Sequence, residues 1–193
     1  MNVKKIALFA SGSGTNVQNI IEYFADNEII EVDSVWCNNP KAYVLERAAK
    51  SKIDAFVFTR EQFYQTNEVL HKLKERNVNL IVLAGFLWLI PVELIKNFTI
   101  INIHPALLPK YGGKGMYGMK VHQAVVENKD NESGISVHYV NENYDEGKLI
   151  FQARCDVAPE DSPEEVAEKV HKLEYQYFPK VIETVLMENH QEK

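Results

Sequence analysis

Apolar residues follow two alternating patterns along this chain. Short continuous runs, "KIALFA" (5–10), "EVDSVWC" (31–37), "DAFVF" (54–58), "LIVLAGF" (80–86) and "TIINIH" (99–104), are rich in Ile, Val and Leu. Runs of that kind suit strands buried on both faces of a parallel sheet. Between them the spacing lengthens. Val17, Ile20, Ile21 and Phe24 fall at i, i+3, i+4 and i+7, and Val44, Leu45 and Ala48, then Val69, Leu70 and Leu73, do so less completely. Such spacing lines one face of a helix. The alternation of strand and helix predicts a doubly wound, mostly parallel α/β sheet of Rossmann-like form.

After Gly118 the order changes. "MKVHQAVVENKD" reads as a helix, and "GISVHYV" (134–140) and "LIFQARCDV" (149–157) read as an antiparallel hairpin joined by the polar loop "NENYDEGK". Ser162 as N-cap, Pro163 at the first helical position and acids in the first turn then predict a long closing helix, bent near Pro179. No internal repeat, low-complexity segment or linker interrupts the chain, so a single domain over 1–193 is expected.

Composition narrows the function classes. Hydrophobic residues make up 46% and charged residues 25% of 193 residues, as in soluble globular chains. The net charge is −6 and the Lys and Arg residues form no run, which argues against a nucleic-acid partner. Cys37 and Cys155 are far apart with no metal-ligand spacing, so both read as buried thiols. The apolar run after Lys4 and Lys5 is too short for a signal peptide and meets "SGSGTN". No segment reaches transmembrane length, and a cytoplasmic protein without membrane contact is expected.

Two places carry chemistry. "ASGSGTNVQNI" follows the first strand and opens the first helix, where free backbone N–H groups can meet an anion. Gly12, Gly14 and Val17 give GxGxxV rather than the dinucleotide fingerprint, "CNNP" replaces an acid after the second strand, and no GK[ST] follows. What remains is a phosphate cradle at Gly14, Thr15 and Asn16, or a ligand-free strand-to-helix turn. Asn102 and His104, two apart on the fifth strand, share a face at its carboxyl end. A carboxamide N–H can stabilise an oxyanion and an imidazole can shuttle a proton, so the pair fits attack on a carbonyl; an ordinary strand end with a satisfied His is the alternative. Asp145 is the candidate carboxylate to orient the imidazole, or else a turn acid. His138 is a secondary candidate, aimed at the same cleft or at solvent. His71, His122, His171 and His190 sit in helical patterns and read as surface residues.

"SGSGTN", "LIVLAGF", "INIHPALLPKYGG", "GISVHYV" and "DEGKLIFQA" occur in an order that closely resembles the folate-dependent formyltransferases, in particular the phosphoribosylglycinamide formyltransferase (GAR transformylase) family. The resemblance covers nearly the whole chain and implies the Rossmann-like formyltransferase fold. It implies a phosphate-binding half over 1–100 and a catalytic, folate-binding half over 101–193. By it, Asn102, His104 and Asp145 are the catalytic trio, with Asn102 and His104 stabilising the tetrahedral oxyanion and Asp145 keeping His104 protonated. Gly14, Thr15, Asn16 and Glu174 bind the ribonucleotide substrate. Leu87, Trp88, Leu89, Ile90 and Asn102, with Asn141, Glu142, Asn143, Tyr144, Asp145, Glu146 and Gly147, bind folate. The implied reaction moves the formyl group of 10-formyltetrahydrofolate to the glycinamide amine of GAR in purine synthesis. It needs no metal, and the implied assembly is a monomer or weak homodimer.

Two positions depart from the family pattern. Trp88 stands where relatives carry arginine or another long side chain, and "YGGKGMYGMKVH" is longer and richer in glycine than the "YPG...H" loop. Rival readings remain. Formyltetrahydrofolate deformylase shares the trio but adds an amino-terminal regulatory domain, for which a first strand near Lys5 leaves no room. Methionyl-tRNA formyltransferase adds a basic carboxyl-terminal domain, against which length and charge argue. A Rossmann-type oxidoreductase lacks support from the degenerate glycine motif, and a non-catalytic nucleotide-binding module is the third class.

Overall fold

β1 (Lys4–Ala10) alternates its side chains between two cores. Ile6, Leu8 and Ala10 join one buried cluster, while Ala7 and Phe9 join a second on the opposite face. A strand buried on both sides in this way has no polar face, which is why its run is continuous. β2 (Ile30–Cys37) and β4 (Leu80–Leu83) pair with it in parallel, and β3 (Asp54–Val57) and β5 (Thr99–His104) pair in parallel with β2 and β4 in turn, in the order β3-β2-β1-β4-β5. β6 (Glu132–Tyr139) and β7 (Leu149–Asp156) extend the sheet antiparallel beyond β5. The computed structural model describes residues 3–188; His190 lies outside them.

Helices cover both faces. α1 (Thr15–Tyr23), α2 (Val44–Lys50) and α7 (Pro163–Glu188) supply Val17, Ile20, Val44, Val170, Phe178 and Ile182 to the first core. α3 (Arg60–Tyr64), α4 (Glu68–Glu75) and α5 (Val92–Asn97) supply Phe63, Val69, Leu73 and Leu94 to the second, around Trp36 and Phe9. α6 (Met119–Glu127) packs against α7 and buries Val121, His122 and Val125. α3 and α5 have only five and six residues, too few to display a helical repeat in sequence.

Several boundaries differ from expectation for local reasons. The apolar run 80–86 leaves the ladder after Leu83, because Gly85 takes φ 79° and its carbonyl accepts from the Ser11 N–H. Ala84 and Phe86 stay buried in the turn. α7 starts on the predicted cap: Ser162 Oγ accepts from the Glu165 N–H at 3.2 Å and Glu165 Oε2 accepts from the Ser162 N–H at 2.8 Å, a capping box. The helix continues through Pro179 to residue 188. Cys37 is buried, but Cys155, on the outermost strand, is only half-buried. Among the described residues no helix is long and apolar enough to cross a membrane.

One buried ionic knot ties strands to a helix end. Asp33, 6% exposed, accepts from Lys5 Nζ at 3.0 Å, Arg76 Nε at 2.6 Å and Ser34 Oγ at 2.8 Å. Burial pushes its pKa up, and the bonds from Arg76, Lys5 and Ser34 outweigh burial and hold the carboxyl below its usual value.

Candidate active site

Neighbouring β1 and β4 carry their crossovers to opposite faces, so their carboxyl ends open a crevice at the point where an α/β sheet reverses its winding. The cleft there has a volume of about 600 Å³. β5 sends Asn102 and His104 into it from one face, and antiparallel β6 sets His138 directly across from Asn102. His104 is 4% and His138 2% exposed. His138 therefore faces the cleft and not solvent.

The loop after β6 completes the cluster. Asp145 Oδ2 stands 3.6 Å from His104 Nδ1, and Asp145 Oδ1 stands 3.5 Å from His138 Nε2 and accepts from Asn102 Nδ2 at 3.4 Å. Asn102 Nδ2 also lies 3.1 Å from His138 Nε2, and His138 Nδ1 donates to the Tyr139 carbonyl at 2.8 Å. His104 Nε2 donates to the Tyr111 carbonyl at 2.7 Å. The loop is shaped by Gly147, where a Cβ would sit 1.6 Å from the Tyr139 carbonyl oxygen. No other residue lets Asp145 return to the strand.

Burial is the largest influence on both partners of the His104–Asp145 pair. It raises the Asp145 pKa, but His138, His104 and the Gly113 N–H reverse this and the carboxyl ends below its usual value. For His104 burial prevails: its pKa is lowered although Asp145 and the Tyr111 carbonyl pull it upward. The expected role of Asp145, to favour the protonated form of His104, is one influence on the ring. Asp145 pulls in that direction and is outweighed by desolvation.

The glycine loop forms the next wall. Gly14 has φ 73°, and a Cβ there would lie 2.4 Å from Val44 Cγ2. The Gly12 carbonyl accepts from the Val44 N–H at 3.1 Å, and the Ser13 carbonyl accepts from Arg47 Nε at 2.8 Å. In a trans peptide the N–H points opposite to the C=O, so the amides of Ser13 and Gly14 are turned away from α2. Asn16 Nδ2 and His171 Nδ1 both donate to Glu174 Oε2, at 2.9 and 2.8 Å. Glu174 is 4% exposed, and its hydrogen bond raises the His171 pKa. Burial and then His171 lower the pKa of His122, 2% exposed, to about 4.

An aromatic wall faces this loop. Leu87, Trp88, Leu89 and Ile90 all line the cleft with Phe86 and Val140. Trp88 stacks on Tyr64, whose hydroxyl donates to the Leu89 carbonyl at 2.8 Å, and the Arg60 guanidinium lies 4.8 Å from the Trp88 ring centre. Ser11 links the walls: its Oγ accepts from the Leu87 N–H at 3.0 Å. Residues 113–119 form a further side.

A family model described as "Formyl transferase" matches residues 4–182. The chain belongs to the formyl transferase family. Among relatives in it, the phosphoribosylglycinamide formyltransferase of Haemophilus influenzae is 40% identical, over 93% of this chain and 86% of that one. The chloroplastic phosphoribosylglycinamide formyltransferase of Arabidopsis thaliana is 38% identical over 96% of this chain, which spans 66% of that protein's length. The crystal structure of glycinamide ribonucleotide transformylase 1 from Geobacillus kaustophilus superposes with a TM-score of 0.86 at 34% identity, covering 96% of this chain and 100% of that one. The phosphoribosylglycinamide formyltransferase of Anaplasma phagocytophilum gives 0.86 at 27% identity, covering 97% and 89%.

Within this family member, the cleft gathers Gly14, Thr15, Asn16, residues 87–90, Asn102, His104, Asn143, Tyr144, Asp145 and Glu174. Asn141, Glu142, Glu146 and Gly147 lie off the lining. Asn141 Oδ1 accepts from the Asn143 N–H and Glu146 Oε2 from Asn143 Nδ2, so these two brace the loop from within. His122 and His171 line the cleft and correct the surface reading, whereas His71 is exposed. Arg47 and Tyr111 act through a backbone carbonyl, and no motif spacing signals such a contact.

Proposed function

We propose that this chain transfers the formyl group of 10-formyltetrahydrofolate to the amine of 5'-phosphoribosylglycinamide, giving the formylated ribonucleotide and tetrahydrofolate, a step of purine biosynthesis. The observation that carries this reading is that Asn102 and His104 each approach Asp145, to 3.4 and 3.6 Å, in the cleft that also holds the glycine loop. An acyl-transfer centre and an anion cradle in one crevice call for a phosphorylated acceptor and a carbonyl donor.

The lining suits both molecules. Phe86, Trp88, Ile90 and Val140 offer apolar walls to a flat heteroaromatic ring. The outward amides of Ser13 and Gly14, with the first turn of α1, suit a phosphate. Glu174, held by Asn16 and His171, is an acceptor for sugar hydroxyls.

Folate supplies the formyl carbon when bound; the chain's residues manage charge and protons. The Asn102 carboxamide donates to the formyl oxygen as negative charge grows on it. It does so by exchanging one of its bonds to His138 or Asp145. His104, its pKa lowered by burial, takes the proton released by the attacking amine on Nδ1 beside the ionised Asp145, and that proton passes to the folate nitrogen as its bond to the formyl carbon breaks, so that tetrahydrofolate leaves neutral. A cleft that excludes water favours transfer over hydrolysis. The reading requires no metal. Residues 1–100 supply the cradle and the aromatic wall, residues 101–193 the trio and Glu174, and both halves work as one domain.

Purified protein is mixed with 10-formyltetrahydrofolate, with and without the glycinamide ribonucleotide, and tetrahydrofolate release is followed. Release only with acceptor is expected. Release without acceptor identifies a deformylase, and no release in either mixture identifies a nucleotide-binding module. Dephosphorylated glycinamide riboside is expected to turn over poorly, and equal turnover removes the cradle from the reading.

A further inference from the structure

Tyr111 is a non-glycine residue in the left-handed region, with φ 55°. Such a conformation persists only where the surroundings fix it. Its carbonyl accepts from His104 Nε2 at 2.7 Å, and two residues on the Gly113 N–H donates to Asp145 Oδ2 at 2.9 Å. One short stretch of backbone therefore holds both members of the His104–Asp145 pair. Gly112 between them has no room for a side chain, since a Cβ would lie 2.6 Å from Leu108 Cδ2 and 3.3 Å from Asp145 Cβ.

The stretch is tied down from behind. The Tyr111 hydroxyl donates to Asp130 Oδ2 at 2.8 Å, and Lys110 Nζ donates to both Asp130 oxygens at 2.8 and 2.9 Å. Asp130 follows α6, where its N–H donates to the Val125 carbonyl at 3.1 Å. Upstream, Ser136 Oγ donates to the Ala106 carbonyl and accepts from the Leu108 N–H, while Gln152 Nε2 donates to the Leu108 carbonyl. The Tyr111 ring packs partly buried against the first core, and Asn128 is a further hydrogen-bond partner of its hydroxyl. A second cavity of about 260 Å³, lined by Leu107, Tyr111, Val125, Asp130 and Ser133, adjoins the ring.

We propose that Tyr111 and Asp130 form a positioning tether: the hydroxyl–carboxylate bond holds the Tyr111 carbonyl on His104 and the Gly113 amide on Asp145. The inference rests on the acyl-transfer reading for its kinetic consequence only. With the tether cut, Tyr111 can swing toward the cavity, the carbonyl leaves Nε2, and the imidazole is free to turn. Placement errors near 1 Å can cost about a hundredfold in rate. Neither tether residue lines the main cleft.

The test uses the full chain with Tyr111→Phe, Asp130→Ala, the double variant and Asp130→Asn, the last keeping an acceptor for the hydroxyl. Turnover, KM for both substrates and the NMR titration of the His104 ring are measured. The groups facing His104 are Asp145, His138 on β6, Glu174 on α7 and His122 on α6, and none of them is altered. Tyr111→Phe and Asp130→Ala are expected to lower kcat about 10- to 100-fold with both KM values within about threefold. They are expected to move the His104 midpoint to lower pH, since the lost carbonyl favoured the charged ring. The double variant is expected to match the worse single one, and Asp130→Asn to stay within about threefold of wild type. Additive losses, an unmoved His104 titration, or Asp130→Asn as damaging as Asp130→Ala overturns the tether. The titration is read without substrate, so absence of transfer activity in the wild type rejects the proposed reaction and leaves the tether to be judged on the NMR result.

Discussion

Lowering the pH from 7 to 5 is expected to weaken the fold through His122. Its ring is 2% exposed, its Nδ1 is buried without a hydrogen-bond partner among the described residues, and its pKa falls from 6.5 to about 4. Burial is the main cause; His171 adds repulsion, His104 a smaller amount, and Glu174 only partly compensates. The unfolded chain therefore binds this proton first as pH falls. Stability from the neutral ring is complete above 6.5 and is lost between 6.5 and about 4, at about 1.4 kcal/mol per pH unit. The whole interval amounts to about 3 kcal/mol, and the part down to pH 5 to about 2 kcal/mol. The assay is urea unfolding at pH 7, 6 and 5 for the wild type and His122→Gln, which is neutral throughout. Comparing the two cancels contributions common to both chains, Asp145 among them. The wild type is expected to lose about 2 kcal/mol more than the variant between pH 7 and 5, at unchanged m. Parallel stability curves for the two proteins refute the argument.

Three further outcomes follow from contacts already described. Asp33→Asn leaves Arg76 and Lys5 without their buried carboxylate and is expected to cost about 2–3 kcal/mol, lowering Tm by about 4–10 °C; a calorimetric scan unchanged within 1 °C, roughly the error of such a comparison, contradicts this. Arg47→Met frees the Ser13 carbonyl and is expected to raise KM for the phosphorylated acceptor about tenfold while KM for folate stays within about twofold; equal change in both constants removes the assigned cause. Asn102→Ala and His104→Ala are each expected to lower kcat by about 10²–10³ with far smaller effects on KM, and a variant that keeps most of its turnover in the steady-state assay removes that residue from the chemistry.

Residues buried on two faces advertise themselves: Ile6 to Ala10 and Leu80 to Leu83 are strands in the sequence because both sides of the sheet demand apolar atoms. Asn102 and His104 were legible for the opposite reason, as polar groups breaking an apolar strand two positions apart. His122 was misread because helical spacing reports which residues share a face and not whether that face is solvent or a cleft. The 80–86 run was overextended because hydrophobicity records burial, and Ala84 and Phe86 are buried in a turn. Arg47, Tyr111 and Asp130 work on backbone carbonyls and on a residue nineteen positions away, as in the Tyr111–Asp130 bond. A carbonyl is present at every position, so it leaves no mark in a sequence. The net fall in the His104 pKa was equally hidden, since it is a balance between a neighbouring carboxylate and the water removed by folding.

Ser11 donates its N–H to the loop after β4 and accepts from that loop's Leu87 N–H, so the glycine loop and the aromatic wall share one hinge point. Under the proposed reaction these walls belong to different substrates, and ordering either loop orders part of the other. Thermodynamic reciprocity then makes the coupling symmetric: the factor by which bound folate improves affinity for the ribonucleotide is the factor by which the ribonucleotide improves affinity for folate. Under the proposed reaction, whatever coupling this serine hydroxyl carries between the two walls is equal in both directions.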